Sequence, residues 1–98
     1  MKKPEIIIEK GREKDELSSL VQKFFDTINK YNEEHEDKAN VVVLTRNSKG
    51  GTSFIVGNTE IQVKEFLKSA VKYEGFHNLL IGILKTLHKI TYENIGSK

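Results

Sequence analysis

The chain has 98 residues, of which 37% are hydrophobic and 31% charged, and its formal net charge is +2. This length allows one modest core, so we predict a single domain over residues 1–98 with disordered tails at 1–4 and 96–98. The absence of cysteine excludes disulfides and thiolate metal sites. No apolar run reaches the length of a membrane span or has the layout of a signal peptide, so a cytoplasmic protein that does not associate with membranes is expected.

Three isoleucines lie close to the start of the chain, at Ile6, Ile7 and Ile8. They allow two interpretations: a short strand at the edge of a sheet, or a loosely ordered arm. If the segment is a strand, the helix that follows is a crossover connection, and the strand is expected to run parallel to its partner.

A helix is predicted from Glu13 to Asn32, because apolar residues recur there at steps of three and four. Its stripe consists of Leu17, Leu20, Val21, Phe24, Phe25, Ile28 and Tyr31. The charged segment Asn32–Ala39 is predicted to be a loop. His35 stands there among carboxylates, but a polar loop holds no ligands in a fixed geometry, so we assign no metal site to it.

The central stretch of the chain predicts a β-hairpin. Two apolar, β-branched runs, Val41–Thr45 and Phe54–Val56, flank the segment Asn47–Gly51, whose glycines suit a turn. Side chains alternate between the two faces of a sheet, so consecutive valines put apolar groups on both faces. Both faces therefore need cover, and the neighbouring helices are available for it.

A second helix is predicted after Gly57, with Thr59 and Gln62 matching the capping-box pattern. Its apolar stripe is Val63, Phe66, Leu67 and Ala70, with Val71 beside it, and three lysines lie on the opposite side. Gly75 is predicted to interrupt the helix near residues 73–75, because glycine is a poor interior residue and a good terminator. A continuous, locally bent helix is the alternative.

The last helix, predicted from Phe76 to about Glu93, is apolar around more than half of its circumference. The apolar arc spans roughly 200°, whereas one packed face needs little more than 100°. Part of it (Phe76, Leu80, Ile83, Leu87, Ile90) steps 4-3-4-3, as a helix-pairing seam does. We therefore predict a homodimer or larger assembly; the alternative is a monomer in which the sheet and first helix cover both sides. The predicted interface residues are Leu79, Leu80, Ile81, Leu84, Leu87, His88 and Ile95.

No catalytic motif stands out. The serines lie in no elbow motif, and nothing in the sequence pairs one of them with a base. The segment Lys49–Thr52 resembles a phosphate loop only superficially, because it lacks the glycine spacing and leads into a strand rather than a helix. We expect no enzymatic activity and no cofactor.

The predicted fold class is α+β in two layers: a small two- or three-stranded sheet, with its central hairpin at 41–56, packed against helices in the order (β)-α-β-β-α-α. Two functions are compatible with it. The first is a non-enzymatic protein-interaction or adaptor domain that self-associates through its C-terminal helix. The second is a nucleic-acid-binding accessory protein whose basic hairpin tip and lysine-lined helix hold a phosphate backbone. The residues of this second hypothesis are Arg46, Lys49, Lys64, Lys68 and Lys72.

Overall fold

The computed structural model describes residues 2–96, with the side chains of residues 3–93. Its elements are β1 (Lys2–Ile8), α1 (Glu16–Glu34), β2 (Val41–Asn47), β3 (Gly50–Gly57), α2 (Thr59–Lys72) and α3 (Glu74–Gly96). The predicted α+β class and element order are confirmed. The chain divides into two compact units between Gln62 and Val63. The first contains the sheet and α1, and the second contains most of α2 and all described residues of α3.

The sheet has three antiparallel strands in the order β1-β3-β2. The segment Ile6–Ile8 belongs to a strand at the edge of the sheet, which was the first of the two interpretations of its sequence, and it is not a loosely ordered arm. The expectation that it runs parallel to its partner is wrong, because β1 pairs with β3 and not with β2. Both outer strands are antiparallel to β3 and therefore parallel to each other, so β1, α1 and β2 form a split β-α-β unit. Residues 2–4 belong to β1 and Gly96 to α3, where disordered tails were expected; Met1 and residues 97–98 lie outside the described residues.

The core of the first unit lies between α1 and one face of the sheet. Val21, Phe54 and Val56 are buried, and five partly buried apolar residues pack against them: Ile6, Phe25, Ile28, Val41 and Val43. The ring of Phe54 contacts those of Phe24 and Phe25 edge to face, at centroid distances of 5.6 and 5.2 Å. The alternation of side chains along each strand thus supplies one complete apolar face, and α1 covers it.

Helix α1 is held at both ends by side chains that its periodicity did not point to. Asp15 is the N-cap and accepts a hydrogen bond from the amide of Leu17 (3.0 Å), so the helix begins later than the predicted Glu13. At the other end Lys38 Nζ donates to the carbonyls of Asn32 and His35. The Asn32 side chain also bonds both backbone groups of Ala39. The charged segment after α1 is therefore tied to the last turn of that helix.

Helix α2 is capped by Asn58, one residue before the predicted cap Thr59. Asn58 Oδ1 accepts from the amide of Ile61 (3.1 Å), while the Gln62 side chain donates to the carbonyl of Val56 and does not reach back to Thr59. The predicted capping box is therefore wrong. Gly57 before the cap has φ +109°, and a Cβ there would lie 2.4 Å from Asn40 Oδ1, so the turn into α2 requires glycine.

The second unit bends at Tyr73, which separates α2 from α3. The Phe66 and Phe76 rings are 6.0 Å apart, whereas ten residues of straight helix rise about 15 Å, which is consistent with a bend between the two helices. Tyr73 also contacts the Phe76 ring (6.4 Å). The predicted interruption is present, but Gly75 lies inside α3 as its second residue. The aromatic cluster at the bend, rather than glycine alone, accompanies the change of direction.

Candidate protein interaction surfaces

Helix α3 carries a strip of large apolar side chains that are each about half exposed. We call Leu79, Ile83, Leu87 and Ile90 the α3 strip. At 100° per residue they fall within an arc of about 80°, so they form one row along a helix about 34 Å long. Their exposed fractions are 46%, 47%, 58% and 49%. Side chains of this kind are normally buried, and a contiguous apolar surface of this length is typical of a protein interface.

The α3 strip borders a shallow groove that runs along the same helix. Besides the strip, the groove is lined by Asn78, Gly82 and Thr86. Apart from the two chain neighbours of Gly82 and the adjacent backbone of α3, no atom of the described residues lies within 4 Å of the position that a Cβ on Gly82 would take, so the backbone there is open to close approach. Small residues beside a row of leucine and isoleucine give a groove next to a ridge, the surface shape that helix–helix packing uses.

The structure separates the predicted self-association residues into three groups. Leu79, Leu84, Leu87 and His88 are exposed, whereas Leu80 and Ile81 are half-buried. The side chain of Ile95 lies outside the described residues. Ile83 and Ile90 are missing from the predicted set although they are as exposed as Leu79. Both residues belong to the 4-3-4-3 spacing of the sequence. The width of the apolar arc, however, does not predict which of its side chains are exposed to solvent in the folded chain.

The second apolar surface is the sheet face opposite α1, which we call the open sheet face. It presents Ile7, Val42, Leu44 and Ile55, with exposed fractions of 65%, 49%, 75% and 39%. Ile55 lies opposite Val42, and Ser53 lies opposite both Leu44 and Ile7. Four apolar side chains therefore surround one small polar residue. The run of valines predicted apolar groups on both faces, and this is the face that α1 does not cover.

The residues of the nucleic-acid hypothesis fall into two groups. In the first unit, Arg46 forms an ion pair with Glu9 (3.3 Å), and Glu9 also accepts a hydrogen bond from the amide of Gly51 (2.6 Å). The guanidinium is therefore engaged with a carboxylate instead of standing alone at the hairpin tip. Lys49 occupies the turn itself. In the second unit, Lys64, Lys68 and Lys72 are exposed at intervals of four residues along α2, and Lys64 has an interaction partner of its own.

The first unit contains a buried pair of hydrogen-bonded hydroxyl groups that the sequence did not predict. Ser18 on α1 is 1% exposed, and its Oγ lies 2.5 Å from Oγ1 of Thr52 on β3, which is 3% exposed. The hydrogen-bond partner of each hydroxyl is the other hydroxyl and not a base, so the pair joins helix and sheet and does not have the arrangement of an activated nucleophile. The signal for it is weak in sequence, since Ser18 looks like any polar residue in a helix.

The part of the chain that the structure describes has neither a cluster of metal ligands nor a membrane-spanning helix. Within residues 2–96 no group of three or more metal-binding side chains converges. His35 instead stacks on Tyr31 at a centroid distance of 4.0 Å, with Nδ1 2.8 Å from the Tyr31 carbonyl oxygen. None of the described helices combines the length and apolarity that crossing a membrane requires.

Comparison of the chain with protein-family models, with curated proteins and with solved structures finds no match.

Proposed function

We propose that this protein is a small non-enzymatic interaction domain of the cytoplasm that self-associates through α3. The observation that carries the proposal is the α3 strip, in which four leucine and isoleucine side chains in one row are each about half exposed. Between residues 74 and 93 no side chain of α3 is buried. A helix with this surface gains stability when a second apolar surface removes it from water.

A second copy of the same strip is a suitable partner for it. Two identical helices related by a two-fold axis bring the same residues together from both sides, as symmetric dimers do. The spacing of the strip matches helix pairing, in which apolar residues recur every three and four positions. Helix α3 has 23 residues, enough for about three such repeats. In this proposal the dimer formed by the paired helices acts by binding another protein.

A nucleic-acid-binding role is the weaker candidate. The row Lys64, Lys68 and Lys72 supports it, because evenly spaced lysines along a helix suit a phosphate backbone. The ion pair between Arg46 and Glu9 weakens it, since a cation already held by a carboxylate contributes less to binding phosphate. Charge reversal of the three lysines should abolish nucleic-acid retention at low salt if this role is correct, and unchanged retention would remove it.

The experiment for self-association compares two lysine substitutions on opposite sides of α3. Ile83→Lys places a charge in the centre of the α3 strip, where burial against an apolar partner is costly. Tyr92→Lys is the matched control, because residue 92 lies about 180° around the helix from the strip and its side chain is 72% exposed. Sedimentation equilibrium of the purified chains reports the molar mass. Ile83→Lys should shift association to at least tenfold higher concentration, while Tyr92→Lys associates like the natural chain.

Two results would contradict the proposal. One is a natural chain that stays monomeric at all concentrations up to the millimolar range. The other is an equal effect of the two lysines, which would indicate that added charge, and not the strip, controls association.

A further inference from the structure

The two outer edges of the sheet differ in how they are protected. An unpaired edge presents free backbone N–H and C=O groups, and natural sheets block such edges with proline, charge or bulges. β1 has these devices: Pro4 lacks an N–H, and the register with β3 is irregular between Lys2 and Glu5. β2 has none of them over Val41–Thr45, a run without proline, glycine or charge.

The geometry of the hairpin shows which backbone groups of β2 point outwards. Strands β2 and β3 are joined by two residues, Ser48 and Lys49, so the closing pair Asn47–Gly50 is hydrogen-bonded. Hydrogen-bonded pairs alternate along antiparallel strands, so Val43, like every second residue, bonds to β3. Val42 and Leu44 therefore direct their N–H and C=O groups away from the sheet. No bond from another described element reaches these groups.

The opposite edge of β3 confirms the alternation. The amide of Glu9, just beyond β1, donates to the carbonyl of Gly51 at 3.2 Å. The odd-numbered residues of β3 thus bond towards β1, and its even-numbered residues bond towards β2. The outward direction of Val42 and Leu44 follows from the same parity.

We propose that the β2 edge is a strand-pairing site for β2 of a second copy of this chain, antiparallel and with Val43 opposite Val43. In this register Val42 of each copy lies opposite Leu44 of the other, and each such pair exchanges both backbone hydrogen bonds. The two sheets become one continuous sheet of six strands.

Charge and side-chain pattern favour a second copy over a different partner strand. The run Val41–Thr45 overlaps itself completely in this register, so apolar and β-branched residues meet their own kind. Arg46, the one charged residue of β2, comes opposite Asn40 and not another arginine, and Glu9 already pairs with it. An edge without net charge gives no electrostatic barrier to an identical edge.

The pairing also joins the two open sheet faces. Val42 and Leu44 point to the face that α1 does not cover, and their exposed fractions are 49% and 75%. Across the new pair they contact each other, so part of the exposed apolar surface is buried in the same step. The edge lies on different residues from the α3 strip, and the inference does not depend on the proposed function. With both sites active, the natural chain assembles beyond a dimer.

The first experiment uses the absence of natural cysteine. A residue opposite itself in a non-hydrogen-bonded antiparallel pair has a Cα–Cα distance of about 4.5 Å, which lies within the range of a disulfide. Val43→Cys should therefore give a covalent dimer on mild oxidation. Thr45→Cys is the matched control on the same face of the same strand: its own copy is four residues further along the strand, about 13 Å away, so it should not cross-link. Absence of the Val43→Cys dimer, or equal cross-linking of both variants, would overturn the proposal.

The second experiment removes the outward hydrogen bonds without cysteine. Leu44→Pro deletes an N–H that points away from the sheet, a position where an edge strand tolerates proline. It is tested in the Ile83→Lys chain, in which pairing through the α3 strip is broken, with circular dichroism to establish that the variant is folded. The Ile83→Lys chain should form dimers at high concentration, and the double variant should be monomeric. An unchanged mass in a folded double variant would overturn the β2 pairing and leave the α3 proposal untouched.

Discussion

Helices α1 and α3 are both long and amphipathic, yet they differ in what lies against them. On α1, Val21 is 5% exposed and Phe25 and Ile28 pack against the same core, because a sheet face with matching apolar residues lies beside them. On α3, the described apolar residues are exposed or at most half-buried. The difference is one of partners rather than of sequence, since α3 is the more apolar of the two helices.

The comparison of α1 with α3 shows which apolar side chains of this chain are buried and so contribute to the stability of the fold. In the first unit, the apolar face of the sheet packs against the apolar stripe of α1, and the Phe54 ring contacts the rings of Phe24 and Phe25. In the second unit, the α3 strip consists of side chains of the same apolar kind. The same kind of side chain is therefore buried in the first unit and about half exposed in the second.

The largest effect that tests this contrast is expected for Phe54→Ala. Phe54 is 3% exposed, so its truncation leaves a cavity and should lower the free energy of unfolding by about 3–5 kcal/mol. Ile83→Ala on the α3 strip leaves no cavity and should change it by about 0.5 kcal/mol or less. Urea unfolding followed by circular dichroism, at a concentration low enough for the chain to be monomeric, measures both. Similar losses for the two variants would mean that the strip is part of a core after all.

The sequence predicted the elements of the first unit well because their periodicity was matched by burial. The helix stripe through Val21, Phe25 and Ile28 identified the core side of α1. The run of valines in β2 predicted apolar groups on both faces of the sheet and left open which face α1 covers. What it missed were polar contacts that depend on three-dimensional position. Arg12 forms an ion pair with Asp15 (2.6 Å) and also donates to Asn47 (3.2 Å), which links the cap of α1 to the hairpin turn. No spacing rule joins residues 12 and 47.

Which strand β1 pairs with could not be predicted from the sequence, for a different reason. Ile6–Ile8 has the same composition whether it joins β2 or β3, and only the position of the hairpin decides which edge is free. For α3, periodicity identified the apolar arc but not its open part, because exposure depends on which neighbours are present. The α3 strip therefore includes Ile83 and Ile90, whereas the predicted set included the half-buried Leu80 and Ile81.

A second test asks whether the polar contacts of the first unit matter as much as its apolar ones. Ser18→Ala leaves the buried hydroxyl of Thr52 without its partner, which should lower the free energy of unfolding by about 1–3 kcal/mol. Adding Thr52→Val removes the orphaned group and should recover part of that loss. The double-mutant cycle is measured by urea unfolding. Strictly additive losses would show that the short contact between the two hydroxyls contributes nothing to coupling helix and sheet.

The smallest change in stability is expected for Gly82→Ala, and this substitution also gives the most specific test of the groove on α3. An added methyl group meets no other part of the described chain within 4 Å beyond its chain neighbours and the adjacent helix backbone. Alanine is favoured over glycine inside a helix by about 0.5–1 kcal/mol, so the isolated chain should become slightly more stable. The same methyl group fills the groove beside the α3 strip, so association should weaken several-fold. Gly75→Ala is the control, because a Cβ there is equally free of contacts but lies outside the groove. Thermal unfolding and sedimentation equilibrium should therefore move in opposite directions for Gly82→Ala alone. If both variants associate like the natural chain, the groove is not where a second helix packs, and any self-association through α3 must use another part of its apolar arc.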